Sequence, residues 1–105
     1  MEEYINYVKI SGMLDKVNRT DSGSFFVRLV QAGMIGNVKN EHFYELYISA
    51  KDVHIQKLLV AGLWYIVEGK LTIFKSRYGH KMLVHVKNMI SLEDNHPDSD
   101  KVQFE

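Results

Sequence analysis

The sequence predicts an all-β domain with one short helix, in which five strands close into a Greek-key barrel. Five segments carry the patterns of strands, and turn-forming residues separate them. One segment with helical spacing stands alone between the third and fourth strands, which argues against repeated strand–helix units and a parallel sheet. Gly69 lies inside the fourth strand, where a small barrel needs a bend to close. The length of 105 residues fits one domain, and a hydrophobic fraction of 46% can fill its core.

The first three strands follow from alternation of apolar and polar residues. Residues 6–14 alternate with period two and precede a segment dense in turn formers. Residues 24–31 form the second predicted strand, with Val27 and Leu29 on one face. The segment 32–41 contains two glycines and two asparagines, which predicts an open loop, and the third strand follows over 42–50.

The second half of the chain begins with the helix, predicted over 52–62. Asp52 suits its N-cap and Gly62 its C′ position. A long strand over 63–75 follows, in which Gly69 predicts a bulge or bend.

The last strand is predicted over 82–92, after a tip at 77–80, and the polar residues 93–105 form a short, acidic, flexible tail. Three strands, one helix and two strands make up the OB-fold, a five-stranded Greek-key barrel with the helix between strands 3 and 4. Other small β-barrels and sandwiches share parts of this pattern. We therefore expect a binding domain over 1–92.

Charge is unevenly distributed along the chain. Thirteen basic residues balance 13 acidic ones, yet residues 4–92 hold 12 basic and six acidic side chains, a net charge of +6. Such asymmetry favours a partner with phosphate groups. The chain has no cysteine, which excludes disulfides, thiolate catalysis and cysteine-ligated metals. It also has no apolar run long enough for a membrane span, so we expect a cytoplasmic protein without a membrane partner.

No motif in the sequence supports an enzymatic function. The five histidines are scattered without metal-ligand spacing, and paired carboxylates are absent from the body of the chain. Gly69-Lys70 is followed by leucine rather than by the serine or threonine of a phosphate-binding loop. We expect no catalysis, no metal, no cofactor and no small-molecule substrate.

The segment FKSRYGHK at 74–81 joins basic and aromatic side chains in a predicted hairpin tip. Binding of single strands without sequence preference needs cations for phosphates and flat side chains for bases. Phe74 and Tyr78 supply the flat surfaces, and Lys75, Arg77 and Lys81 supply the charges. A hairpin tip that is basic only for solubility is the alternative, but solubility does not require the aromatic residues.

A second set, Phe26, Arg28, Phe43 and Tyr47, lies on the face opposite the predicted core residues of strands 2 and 3. Exposed phenylalanines there indicate either a platform for bases or a contact between subunits. Three further cations either add positive field to the interface or belong to a solvated face: Lys70, Lys87 and Arg19.

Several segments resemble the single-stranded DNA-binding (SSB) family of bacteria and phages and its short OB-type relative, the primosomal replication protein. They are NYVKISGML at 6–14, GSFFVRL at 23–29, and VAG at 60–62 followed by YIVEGKL at 65–71. Family members usually end in an acidic cluster with Ile-Pro-Phe, whereas this chain ends Val102-Gln-Phe-Glu105. The resemblance implies binding to single-stranded DNA in a bacterial or phage-infected cell, whereas the departure puts recruitment of partners through the tail in doubt.

Two function hypotheses follow. In the first, the protein is a dimer or tetramer that coats single-stranded DNA during replication, recombination or propagation of a phage or mobile element. In the second, it is an adaptor that binds replication or recombination proteins, with incidental binding of nucleic acid. Stacking does not read the 2′-hydroxyl, so RNA stays open as a ligand in both.

Overall fold

The structure is a computed structural model that describes residues 4–92. Five strands close into a barrel in the order β1-β2-β3-β5-β4. Every neighbouring pair is antiparallel except β3 and β5, which pair in parallel at Leu46–Val84 and Tyr47–His85. This is the predicted OB-fold, with the helix between β3 and β4. The elements are β1 (Val8–Arg19), β2 (Phe25–Ile35), β3 (Val38–Ile48), α1 (Val53–Gln56), β4 (Trp64–Ser76) and β5 (Gly79–Ser91).

The barrel interior is filled by the inward side chains of alternating positions. Val27 and Leu29 on β2 face this core, as the alternation predicted, and so do Leu46 and Ile48 on β3. Because their inward faces are committed to the core, the intervening residues of both strands point outward. The side chains with no exposed area include Leu14, Leu29, Leu46, Ile48, Tyr65, Val67 and Val86.

The predicted irregularity in β4 is present at Gly69. The register between β4 and β5 shifts between Glu68 and Gly69. A Cβ at Gly69 would lie 2.1 Å from the carbonyl oxygen of His85, so a side chain at this position has no space. Glycine therefore lets the two backbones approach where β4 leaves its pairing with β1, which ends at Val8–Gly69.

The predicted loop over 32–41 is wrong. These residues extend β2 and β3 into a hairpin that turns at Gly36, which has a φ of 63°. The pairing continues to Ile35–Val38, although most side chains there are exposed. Without a buried face the segment shows no alternation, and its glycines and asparagines give the composition of a loop. In the same way β1 continues to Arg19 through residues predicted as a turn.

The predicted helix over 52–62 is also wrong in length, because α1 spans only Val53–Gln56. Asp52 precedes it but makes no capping bond through its side chain. Gly62 has a φ of 96°, yet it lies in the turn before β4 and donates its N–H to the carbonyl of Leu14 at 2.8 Å. Leu58 and Leu59 pack on the core from this irregular segment, which gives it the apolar spacing of a helix.

The hydroxyl group of Tyr65 connects this irregular segment to the barrel through hydrogen bonds, and its removal tests how much they contribute to stability. The hydroxyl donates to the carbonyl oxygen of Leu58 and accepts the N–H of Val60 at 2.9 Å. We expect Tyr65→Phe to lower the free energy of unfolding by about 1–3 kcal/mol, because it leaves partly buried polar groups unsatisfied. Urea denaturation followed by circular dichroism measures this change; an unaltered midpoint would contradict it.

Among residues 4–92 no helix is long and apolar enough to cross a membrane. The predicted acidic tail, 93–105, lies outside the described residues.

Candidate nucleic-acid interface

Three aromatic side chains from three strands meet on the outside of the barrel. Phe26 on β2 stands directly opposite Tyr47 on β3, and their ring centroids are 5.3 Å apart. Phe74 reaches them from β4, with its centroid 5.2 Å from Phe26 in an edge-to-face contact and 6.4 Å from Tyr47. We call Phe26, Tyr47 and Phe74 the aromatic cluster. Phe74 was predicted to stack on bases, and Phe26 and Tyr47 were predicted either to do so or to contact another subunit; the barrel closure brings the three together.

Phe74 is the most open part of this cluster, with 41% of its surface exposed. On the other side His85 contacts Tyr47 edge-on, with 5.2 Å between ring centroids. Partial burial lowers the pKa of His85, and the positive charge of Lys87 lowers it further, against the opposing effect of Asp52. His85 is therefore mainly neutral at pH 7. Its ring enlarges the flat surface of the aromatic cluster without adding a positive charge.

A shallow groove of about 290 Å³ runs beside the aromatic cluster. Side chains from β1, β2, β3 and β5 line it, because these strands are neighbours in the barrel. Its polar lining combines cations, carboxylate and amide, and Phe26 forms an aromatic wall. The lining residues are Lys16, Asn18, Phe26, Val27, Arg28, Glu45 and Lys81.

Two of the predicted cations in the groove are paired with carboxylates. The guanidinium of Arg28 donates to Asp15, from Nε at 2.8 Å, and its carbon lies 4.5 Å from the ring centroid of Phe43. Lys81 forms an ion pair with Glu45. Phe43 is 49% exposed, so the Arg28–Phe43 pair offers a flat, positively charged surface at the side of the groove.

The tip of the β4–β5 hairpin is narrower than predicted, because β5 begins at Gly79 and the turn residues are Arg77 and Tyr78. Gly79, the first residue after the turn, has a φ of 122°, a backbone conformation that favours glycine. Tyr78 is 84% exposed, and the guanidinium carbon of Arg77 lies 5.0 Å from its ring centroid. Tyr78 therefore offers a flat surface separate from that of Phe74.

The remaining predicted cations lie around these two surfaces. In the β4–β5 register Lys75 stands opposite His80 near the tip, and Lys70 stands opposite His85, which contacts Tyr47 of the aromatic cluster. Lys87 is exposed on β5. Arg19 ends β1 opposite Phe25, outside the lining of the groove.

Three polar residues that line the groove, Lys16, Asn18 and Glu45, were not predicted as part of the interface, and neither was Asp15, which pairs with Arg28. Asp15, Lys16 and Asn18 fall in the segment that was predicted as a turn, so their place on a strand was missed. Asp15 also sits at a shift in the β1–β2 register, between Leu14 and Lys16, which alternation cannot reveal. Across residues 4–92 no group of three or more histidine, aspartate or glutamate side chains could hold a metal ion.

Comparison with solved structures places this barrel among those of known DNA-binding proteins. A small single-stranded DNA-binding protein from Mycoplasma pneumoniae matches with a TM-score of 0.68 at 16% identity, over 83% of this chain and 93% of its own. The fold is that of an SSB protein. A Plasmodium falciparum SSB in complex with ssDNA matches with a TM-score of 0.65 at 13% identity, over 87% of this chain and 97% of its own.

PriB from Ralstonia solanacearum matches with a TM-score of 0.53 at 15% identity, over 84% of this chain and 99% of its own. No protein-family model matches the sequence, and no curated protein matches it either. The likeness to SSB and PriB proteins inferred from the sequence is thus confirmed for the fold, and it extends over most of the described barrel.

Proposed function

We propose that this protein binds single-stranded DNA with little sequence preference, through base stacking and phosphate contacts, and that it does no catalysis. The observation that carries the proposal is the aromatic cluster beside a groove with cationic side chains. Bases stack on aromatic rings regardless of sequence, and cations beside the rings meet the backbone. Both features lie on the β2–β3 face and the β4–β5 hairpin, which bind oligonucleotides in OB-folds.

Charge supports the same proposal. The net charge of +6 over residues 4–92 attracts a polyanion. Within those residues Lys16, Lys75 and Arg77 form no ion pair, so they are available to phosphates. The SSB proteins of similar fold support DNA as the ligand, and the resemblance of the sequence to the primosomal replication protein supports a role in replication. The resemblance of the sequence to the SSB family supports a dimer or tetramer that works in the cytoplasm of a bacterial or phage-infected cell.

The adaptor hypothesis is supported by a different surface. On the hairpin side opposite Phe74, Ile73 and Met82 stand directly across from each other and are 51% and 61% exposed. Met34, Ile35 and Val38 at the β2–β3 tip are more than 60% exposed. Apolar side chains in such positions suit contact with another protein or another subunit.

Titration of fluorescent oligo-dT at several salt concentrations tests DNA binding. We expect binding at low salt that weakens as salt rises, because each neutralised phosphate of a single strand contributes about −0.7 to the slope of log K against log salt. Three engaged phosphates give a slope of about −2. Absence of binding at low salt, or a flat slope, would contradict the proposal and favour the adaptor.

A further inference from the structure

Two carboxylates stand among the cations of the groove, and each holds a cation that the proposed function assigns to phosphate. Asp15 accepts hydrogen bonds from two nitrogens of the Arg28 guanidinium. The Arg28 and Asp15 side chains are only 34% and 30% exposed, so water screens this pair incompletely. Glu45 and Lys81 form the second pair and are more open, at 41% and 57%. Both cations therefore meet an anion before any DNA arrives.

The position of Asp15 follows from an extra residue in β1. Leu14 pairs with Leu29 and Lys16 pairs with Arg28, so Asp15 stands between two registers. A bulge of this kind re-aims the inserted side chain away from simple alternation. Leu14 is fully buried, whereas Asp15 reaches Arg28 on the groove side. The bulge in the backbone thus places the Asp15 carboxylate next to the Arg28 guanidinium.

Glu45 is placed by register instead. It stands directly across from Arg28 on the adjacent strand, and both line the groove with Lys81. The side chain reaches across to β5, where β3 and β5 are not paired, and meets Lys81 there. Its carboxylate thus pairs with Lys81 in a groove that Arg28 also lines.

We propose that Asp15 and Glu45 are built-in counter-ions that compete with phosphate for Arg28 and Lys81, which limits the affinity for single-stranded DNA. The inference rests on the proposed function. A cation shared with a carboxylate neutralises less phosphate charge, so fewer condensed counter-ions leave the DNA on binding. Lys16 lines the same groove without an ion pair within residues 4–92 and meets phosphate without this competition.

The substitutions Asp15→Asn and Glu45→Gln, alone and together, test this competition. Each keeps the size of the side chain and one acceptor oxygen but removes the charge. In an anisotropy titration of labelled oligo-dT, each is expected to tighten binding about two- to fivefold at low salt. Each should also steepen the slope of log K against log salt by about 0.7, and the double variant by about 1.4.

Glu68→Gln is the matched control, since it makes the same change in net charge outside the groove. Glu68 lies on β4, where it accepts hydrogen bonds from Tyr7 and Asn88. We expect its salt slope to equal that of the unaltered protein. If this control tightens binding as much as the groove variants, the effect belongs to total charge and the inference is overturned.

Two other results would overturn the inference while leaving the proposed function in place. One is unaltered or weaker binding of oligo-dT by both groove variants, when the unaltered protein binds. The other is a selective loss of oligo-dC binding in Glu45→Gln, which would assign this carboxylate to the cytosine amino group. Failure of the unaltered protein to bind at low salt would instead remove the proposed function itself.

Discussion

Replacement of Phe74 and Tyr78 by alanine together is expected to weaken the binding of oligo-dT by about 2–6 kcal/mol. Each aromatic ring that stacks on a base contributes about 1–3 kcal/mol by alanine substitution. The two rings lie on separate surfaces of the same hairpin, one in the aromatic cluster and one at the tip. Their effects should therefore be nearly additive. Anisotropy titrations of the two single variants and the double variant at fixed low salt measure each share.

The hairpin offers its own control in Ile73→Ala with Met82→Ala. These residues form a cross-strand pair next to Phe74, are exposed, and project from the opposite side of the strands. We expect this double variant to bind oligo-dT as the unaltered protein does. If the control loses affinity and the Phe74 and Tyr78 variant does not, the apolar side of the hairpin is the functional one and the adaptor hypothesis gains.

The substitution Gly69→Ala is expected to lower the free energy of unfolding by about 3 kcal/mol, at the upper end of the range for overpacked interiors. The new Cβ would approach the backbone oxygen of His85 to 2.1 Å and the Cα of Val86 to 3.1 Å. Backbone atoms of a paired strand cannot rotate away as a side chain does. β4 and β5 must separate instead, which breaks ladder hydrogen bonds at the bend.

Chemical denaturation of Gly69→Ala and of Gly33→Ala, side by side, isolates this effect. Gly33 has no atom within 4 Å of its ideal Cβ position and lies in the exposed β2–β3 hairpin. The two variants share the same chemical change, so loss of glycine flexibility alone should act similarly in both. Equal stabilities would show that the close approach at Gly69 can relax and would refute the steric account.

The sequence predicts the barrel wherever a strand has one buried face. In β2 and β3 alternation identifies Leu29 and Leu46 as inward and Phe26 and Tyr47 as outward, because the core imposes the period of two. Alternation is lost where hairpins extend past the barrel, so the segment 32–41 was predicted as a loop. Prediction of the helix failed for a related reason, since irregular backbone can also direct leucines toward a core.

In the candidate site, too, local features were predicted and features that depend on strand pairing were missed. Its aromatic members and the basic residues Arg28 and Lys81 were predicted because their chemistry is conspicuous in a local stretch of sequence, whereas Lys16 lies in a segment that was predicted as a turn. The ion pair between Arg28 and Asp15 was not predicted, since the bulge that brings these residues together depends on the pairing of two strands. The pair between Lys81 and Glu45 depends likewise on the closure of the barrel.

Beyond Gly69 the β4–β5 hairpin forms an arm that no longer pairs with β1. The pairing of β1 with β4 stops at that glycine. Farther along β4, the side-chain amide of Asn6 forms two hydrogen bonds with the backbone of Leu71. Ser76, the end of β4, lies seven positions beyond Gly69, which gives an arm of about 23 Å. A rotation of about 10° at the glycine would displace the tip by about 4 Å, roughly the distance between two carbon atoms in contact. The contact of Phe74 with Phe26 holds this arm against the barrel, so the ring that we propose to receive a base also helps to fix the position of Tyr78.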